Sequence, residues 1–261
     1  MTWRRGDIAR LGWPWVAASC CALLAPALQA APELVLRTAE QSGSVGKYGL
    51  QSDSGMPGIC TEILRAVERV DPGLRFAGTS LRAPLRRIET MLAQDQIDAF
   101  FCLLKSPERE QQWRYLPVPL YRIRHRVVQR IDDGNEMRSL ADLAERSRAK
   151  PVLVMQGTLL KQTLDRANVV TSAPPSEREA LQMLLLGRTD AVYGQDIGLL
   201  RALREAHMED RLRLSPTVFA EEFQYAVVSR HLPAEAERRL TQALQALERD
   251  GTLRALADKY R

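Results

Sequence analysis

Apolar positions along this chain recur at two spacings, and the alternation between them lays out a series of strands and helices. Residues 33–38 read as a first strand. A Gly- and Ser-rich stretch over 39–57 reads as a long loop. Ile59, Ile63, Leu64, Val67 and Val70 then fall on one face at helical spacing, and Asp71-Pro72-Gly73 stops that helix. Residues 74–76 make a short strand, and 84–93 a second amphipathic helix with Leu85, Ile88 and Leu92 inward. The stretch from Ile97 to Leu104 is mostly apolar, long enough for a strand buried on both faces, and it breaks at Ser106-Pro107 into a charged turn.

Residues 116–121 lead into 122–130, where long cations alternate with apolar residues as in a strand with one wet face. Ser139-Leu140-Ala141-Asp142 resembles a capping box. A second series follows: strand 151–155, helix 159–166, strand 168–171, helix 176–186, strand 190–194 and helix 196–206. The tail gives a strand at 224–228, a long amphipathic helix over 233–249 and a short last helix ending at Tyr260. Strands alternating with helices point to an α/β protein with a mainly parallel sheet. Two series joined by an extended segment, with a return passage near 219–223, imply two lobes, 31–124 with 222–261 and 125–221.

The first thirty residues stand apart. Arg4, Arg5 and Arg10 make a basic start, a short apolar centre covers 16–25, and Leu28-Gln29-Ala30 offers a cleavage site. That pattern is expected to be a signal peptide for export to the periplasm, because the apolar centre is too short to span a membrane. Those residues carry three Arg and one Asp, so their removal lowers the formal charge from +5 to +3. With no basic block interleaved with aromatics, nucleic acid is not an expected partner. Only Cys60 and Cys102 remain beyond the leader. In an oxidising compartment they are expected to pair; two buried, inert thiols are the alternative.

Arg109 follows the carboxyl end of the buried strand, where open α/β sheets hold their ligands. Its planar five-donor fork suits a carboxylate, although an Arg there also simply decorates a helix start. Gly157-Thr158 precedes a helix whose first-turn amides and dipole favour an anion; a plain N-cap is the alternative. A carboxylate held by both would touch both lobes and favour their closure. Lys105 adds charge on the same side or is solvated.

The chain resembles the extracellular solute-binding proteins of family 3, the polar-amino-acid type that serve ABC importers. The residues that carry the resemblance are Gly58-Ile59-Cys60-Thr61-Glu62-Ile63, Ile97-Asp98-Ala99-Phe100 with Ser106-Pro107-Glu108-Arg109, Pro119-Leu120-Tyr121, Gln156-Gly157-Thr158, and Gly187 to Val192. The ending with Asp250-Gly251-Thr252 completes them. The resemblance implies a two-lobed periplasmic binding protein of type II, the Venus-flytrap clamp, with two hinge crossovers and a ligand in the cleft. By that resemblance Arg109 holds a ligand carboxylate, Thr158 with Gly157 adds a hydroxyl and a helix amino end, Asp196 holds the ammonium, and Tyr48 covers the ligand. Cys102 stands where the family commonly has a small pocket residue, followed by bulky Leu103 and Leu104, so the ligand need not be a standard amino acid. The expected partners are a small carboxylate-bearing ligand and the membrane subunits of an ABC permease. The protein is expected to be a monomer without a cofactor.

Two other readings share the scaffold. A dehydratase-like enzyme would use a desolvated Glu108 or Glu110 as acid or base, whereas His125, His207 and His231 are scattered and lack metal-ligand spacing. A sensory or cofactor-handling role would pass the ligand to a receptor or another periplasmic protein.

Overall fold

The computed structural model describes residues 33–49 and 56–261, and Thr2, so the leader expected over 1–30 lies outside the described residues apart from Thr2. The first series comprises β1 (Leu34–Arg37), β2 (Glu40–Gln41), α1 (Ile59–Val70), β3 (Leu74–Ala77), β4 (Arg82–Ala83), α2 (Leu85–Ala93), β5 (Ala99–Leu104) and α3 (Pro107–Glu110). A strand of 17 residues, β6 (Arg114–Arg130), carries the chain across. The second series is α4 (Leu140–Ser147), β7 (Val152–Val154), α5 (Leu159–Arg166), β8 (Thr171–Ser172), α6 (Glu177–Leu185), β9 (Val192–Gln195), α7 (Asp196–Glu205) and β10 (Leu212–Leu214). The chain returns on β11 (Ala220–Val228) and ends in α8 (Ala234–Arg249) and α9 (Thr252–Lys259).

Local chemistry fixes most of these boundaries. In α1 the residues Ile59, Ile63, Leu64 and Val67 are buried as their spacing requires, whereas Val70, the last residue of the stripe, is 41% exposed. The box before α4 is reciprocal: Asp142 N donates to Ser139 Oγ and Ser139 N to Asp142 Oδ2, both at 3.1 Å. Gly251, at φ +81°, supplies the left-handed residue between α8 and α9. No described helix is long and apolar enough to cross a membrane.

The main sheet is mixed, in the order β5-β11-β6-β9-β7-β8 with β10 also on β6. The expectation of a mainly parallel sheet is corrected here. β11 runs antiparallel to both β5 and β6, and β6 antiparallel to β9. A chain that crosses out and later crosses back lays its two crossing strands in opposite directions. The register runs from Ala220 opposite His125 to Val228 opposite Arg114. It slips between Gln224 and Tyr225 and again between Tyr225 and Val227, beside Pro119 and Pro117 of β6. Proline has no N–H for a ladder, so the long strand survives by going irregular there.

A second irregularity shapes the cleft. Phe101 and Cys102 together face the single residue Ala226, and Cys102 takes φ +63°. This is a bulge with its extra residue in the left-handed region, which turns the Cys102 carbonyl out of the ladder. Cys102 is disulfide-bonded to Cys60 of α1, and both are fully buried. The link closes a loop with a sequence separation of 42 residues. In the chain-entropy account such a loop contributes about 3–4 kcal/mol. We expect the double variant Cys60→Ala, Cys102→Ala to lose about that much in denaturant melts without reductant, whereas an unchanged midpoint would show that the link adds nothing.

Candidate functional site

Both series contribute walls to a partly open cavity of about 30 Å³, room for roughly two water molecules. The first series supplies Gln41, Lys47, Leu103, Leu104 and Arg109; the second supplies Met155, Thr158, Glu177, Tyr193 and Gln195. Outside it lies an open groove of about 610 Å³ walled by Arg86, Glu89, Thr90 and Lys161. Arg109 and Thr158 line both spaces and stand between them.

Arg109 is 7% exposed, in the short helix α3 begun by Ser106. Its Nη1 donates to the Leu104 carbonyl at 3.0 Å, and its Nη2 pairs with Glu89 of α2. The guanidinium expected to wait for a ligand carboxylate therefore already holds an internal one. A buried guanidinium without a counter-ion would be costly, and Glu89 supplies it. The fork keeps donors beyond those two contacts.

Two ionisable groups of opposite type, Lys47 and Glu177, line the cavity from the two series. Lys47 sits in the loop after β2 and donates from Nζ to the Cys102 carbonyl at 2.9 Å, the group exposed by the β5 bulge. Glu177 is the first residue of α6, whose N-cap Ser176 accepts from Glu179 N at 3.2 Å. Burial pushes Lys47 down to about 7, with Glu177 opposing that shift and Arg109 adding to it. Burial likewise pushes Glu177 up to about 8, countered by Lys47 and reinforced by Glu205. Each group surrenders its charge easily because water is excluded from both. Among the described residues, Glu177 Oε2 and Gln41 Oε1 are buried without a hydrogen-bond partner. Both line the cavity, and both are acceptors.

The other expected site residues divide. Thr158 is the N-cap residue of α5 and reaches the cavity, yet its Oγ1 donates to the Met155 carbonyl at 2.9 Å instead of capping the helix. Gly157, at φ +75°, lines the outer groove, where an added Cβ would meet Arg86 Cγ at 3.4 Å. Cys102 contributes its carbonyl through Lys47, while its sulfur is spent on the disulfide. Three residues stand away from the cavity. Asp196 Oδ1 accepts from Arg124 N at 3.1 Å and Ile197 N at 2.9 Å, which fastens α7 to the crossing strand. Tyr48 is 1% exposed, its ring stacked with Phe100, and donates to the Phe101 carbonyl at 2.9 Å. Lys105 lies over the ring of Tyr225, 4.2 Å from its centre, and 3.9 Å from Glu110.

Glu108 and Glu110 are exposed, so neither meets the desolvation that acid–base work would require. The Glu108 backbone amide, followed by the Ser106 hydroxyl, holds the Glu108 carboxyl below its ordinary range. Sequence reasoning missed Lys47, Gln41, Glu89 and Glu177. The only signals available were a lysine beside an aromatic in a Gly-rich loop and an acid just after a serine cap, both commonplace.

No family model matches the sequence, and no curated protein matches it. Solved structures match the fold along nearly its whole described length. An ancestral arginine-binding protein bound to glutamine matches with a TM-score of 0.70 at 21% identity, covering 87% of this chain and 97% of that one. The GluR0 ligand-binding core from Nostoc punctiforme in complex with L-glutamate gives 0.67 at 17%, covering 86% and 98%. A histidine kinase sensor domain with similarity to periplasmic binding proteins gives 0.74 at 19%, covering 87% and 96%. Identities this low carry the architecture and nothing finer. The chain has the two-lobed α/β fold of the amino-acid-binding periplasmic proteins.

Proposed function

We propose that this chain is a periplasmic solute-binding protein that encloses a small carboxylate-bearing, amino-acid-like ligand between its lobes and delivers it to an ABC importer. The lobes in this reading are 31–124 with 222–261, and 125–221. The observation that carries it is the set of basic and acidic groups walling one cavity, Arg109 and Lys47 from one series and Glu177 from the other. A zwitterion admitted as the walls move apart would set its carboxylate against Arg109 and Lys47 and its ammonium against Glu177. Glu177 takes the part expected of Asp196, and the unpartnered acceptors Glu177 Oε2 and Gln41 Oε1 favour an N–H donor on that side. An approaching carboxylate and ammonium would draw Lys47 and Glu177 back to their charged forms, and such pairs are worth more in a water-poor cleft than in solvent. Leu103, Leu104 and Met155 leave the remainder of the cavity apolar and small, which favours a compact solute.

A thermal-shift panel of amino acids and small organic acids tests the reading first; a panel in which nothing raises the melting temperature contradicts it. For the solute with the largest shift, calorimetry on Arg109→Ala is expected to show a loss of about 2–5 kcal/mol of binding. Unchanged affinity would take Arg109 out of the site.

Glu177 also predicts a pH dependence of stability. Its proton is held to about 8 in the folded chain against an ordinary value of 4.5. Folded protein thus binds more protons than unfolded across that window, and this group's contribution falls as pH rises through it. Lys47, lowered from 10.5 to about 7, works in the opposite sense, its contribution rising with pH between those values. Glu177→Gln removes the falling limb. Unfolding free energies compared between pH 4.5 and about 8 are expected to move steadily in favour of the variant; parallel curves would show that Glu177 titrates alike in both states.

A further inference from the structure

We propose that residues 42–48 form a strap that holds the two lobes shut without any solute, with Lys47 as its occupant of the cleft. The strap is fastened to the first lobe along its length. Ser42 N donates to Ala83 O at 2.9 Å, Ile59 N to Gly46 O at 3.0 Å, and Cys60 N to Lys47 O at 3.0 Å. The Lys47 and Tyr48 side chains add their bonds to the Cys102 and Phe101 carbonyls.

From that anchorage the strap grips the second lobe at four points. Glu177 N donates to Gly43 O at 3.3 Å. The Val45 backbone amide faces the Glu177 carboxyl and counters its upward shift. The Val45 side chain packs onto the second lobe's own core cluster, which includes Leu181, Leu199 and Leu203. Gly46 meets the start of α7 backbone to backbone: a Cβ on it would stand 2.9 Å from Gly198 Cα and 3.0 Å from Ile197 O. Gly43, at φ +84°, repeats the device, since an added Cβ would come 2.4 Å from Pro175 O. Such approaches are open to glycine alone.

These contacts join the lobes through the protein's own atoms, so closure needs no bound solute. Lys47 faces Glu177 where a ligand ammonium would compete for it, and Arg109 faces Glu89 where a ligand carboxylate would compete. A solute therefore binds against a closed, self-satisfied state, and loosening the strap raises the fraction of molecules open to it. The inference rests on the fold and the strap's contacts; it holds whichever solute the cleft takes.

The test is small-angle scattering with amide hydrogen exchange on protein freed of small molecules by unfolding, dialysis and refolding. The unmodified protein is expected to be compact, to keep its radius when amino acids are added, and to exchange the Val45 and Glu177 amides slowly. Gly46→Ala, whose methyl meets Gly198, is expected to enlarge the radius and speed both amides. Gly134→Ala, where an added Cβ meets nothing within 4 Å, is expected to do neither. Val45→Ser offers a second release of the strap should Gly46→Ala fold poorly, with the same expected direction. A solute-free protein that is expanded and contracts only with an amino acid overturns the proposal. So does slow exchange at both amides with an unchanged radius in the released variants. Calorimetric binding of a solute in either case leaves the binding function standing on its own.

Discussion

The constraint from which the rest follows is that two halves of one chain bury a basic and an acidic side chain along one cavity of about 30 Å³. Outside such a cleft Lys47 and Glu177 would be ordinary surface groups. Inside it, burial pulls the lysine down to about 7 and the glutamate up to about 8. Groups that give up charge so readily respond strongly to any charged group brought near them. The antiparallel pair β6 and β11 creates the cleft, because it ties the halves side by side while the loops after β2 and β7 face one another across it.

The backbone prepares this arrangement before any side chain takes part. The bulge at Cys102 frees a carbonyl for Lys47, and the disulfide to Cys60 holds that bulge to α1, next to the loop that carries Lys47. Arg109 depends on the same strand end, since Leu104 accepts its bond and Glu89 balances its charge. A perturbation of the β5 end would therefore reach both cations of the cavity together.

Much of the architecture was legible in the sequence because helix faces and buried strands are local patterns. The stripe of α1, the reciprocal box at α4, the span of α5 and the long α8 follow from spacing and caps that a few consecutive residues define. The direction of the crossing strands was not legible, since it depends on the chain returning some hundred residues later. Nor was β10, three residues that are strand only because β6 lies beside them.

Which residues reach the cavity was legible only where a neighbouring element fixes them. Arg109 and Thr158 reach the cavity because each is fixed by the element it borders. Asp196 occupies a similar post-strand position, yet the crossing strand's amide claims its Oδ1. Glu89, Lys47 and Glu177 lie far apart in the chain, and only the fold reveals whom they face. The most direct measurement is a crystal structure with the solute that most raises the melting temperature. The account predicts its carboxylate within hydrogen-bond reach of Arg109 and its amino group beside Glu177; density confined to the outer groove, with the cleft unchanged, would contradict it.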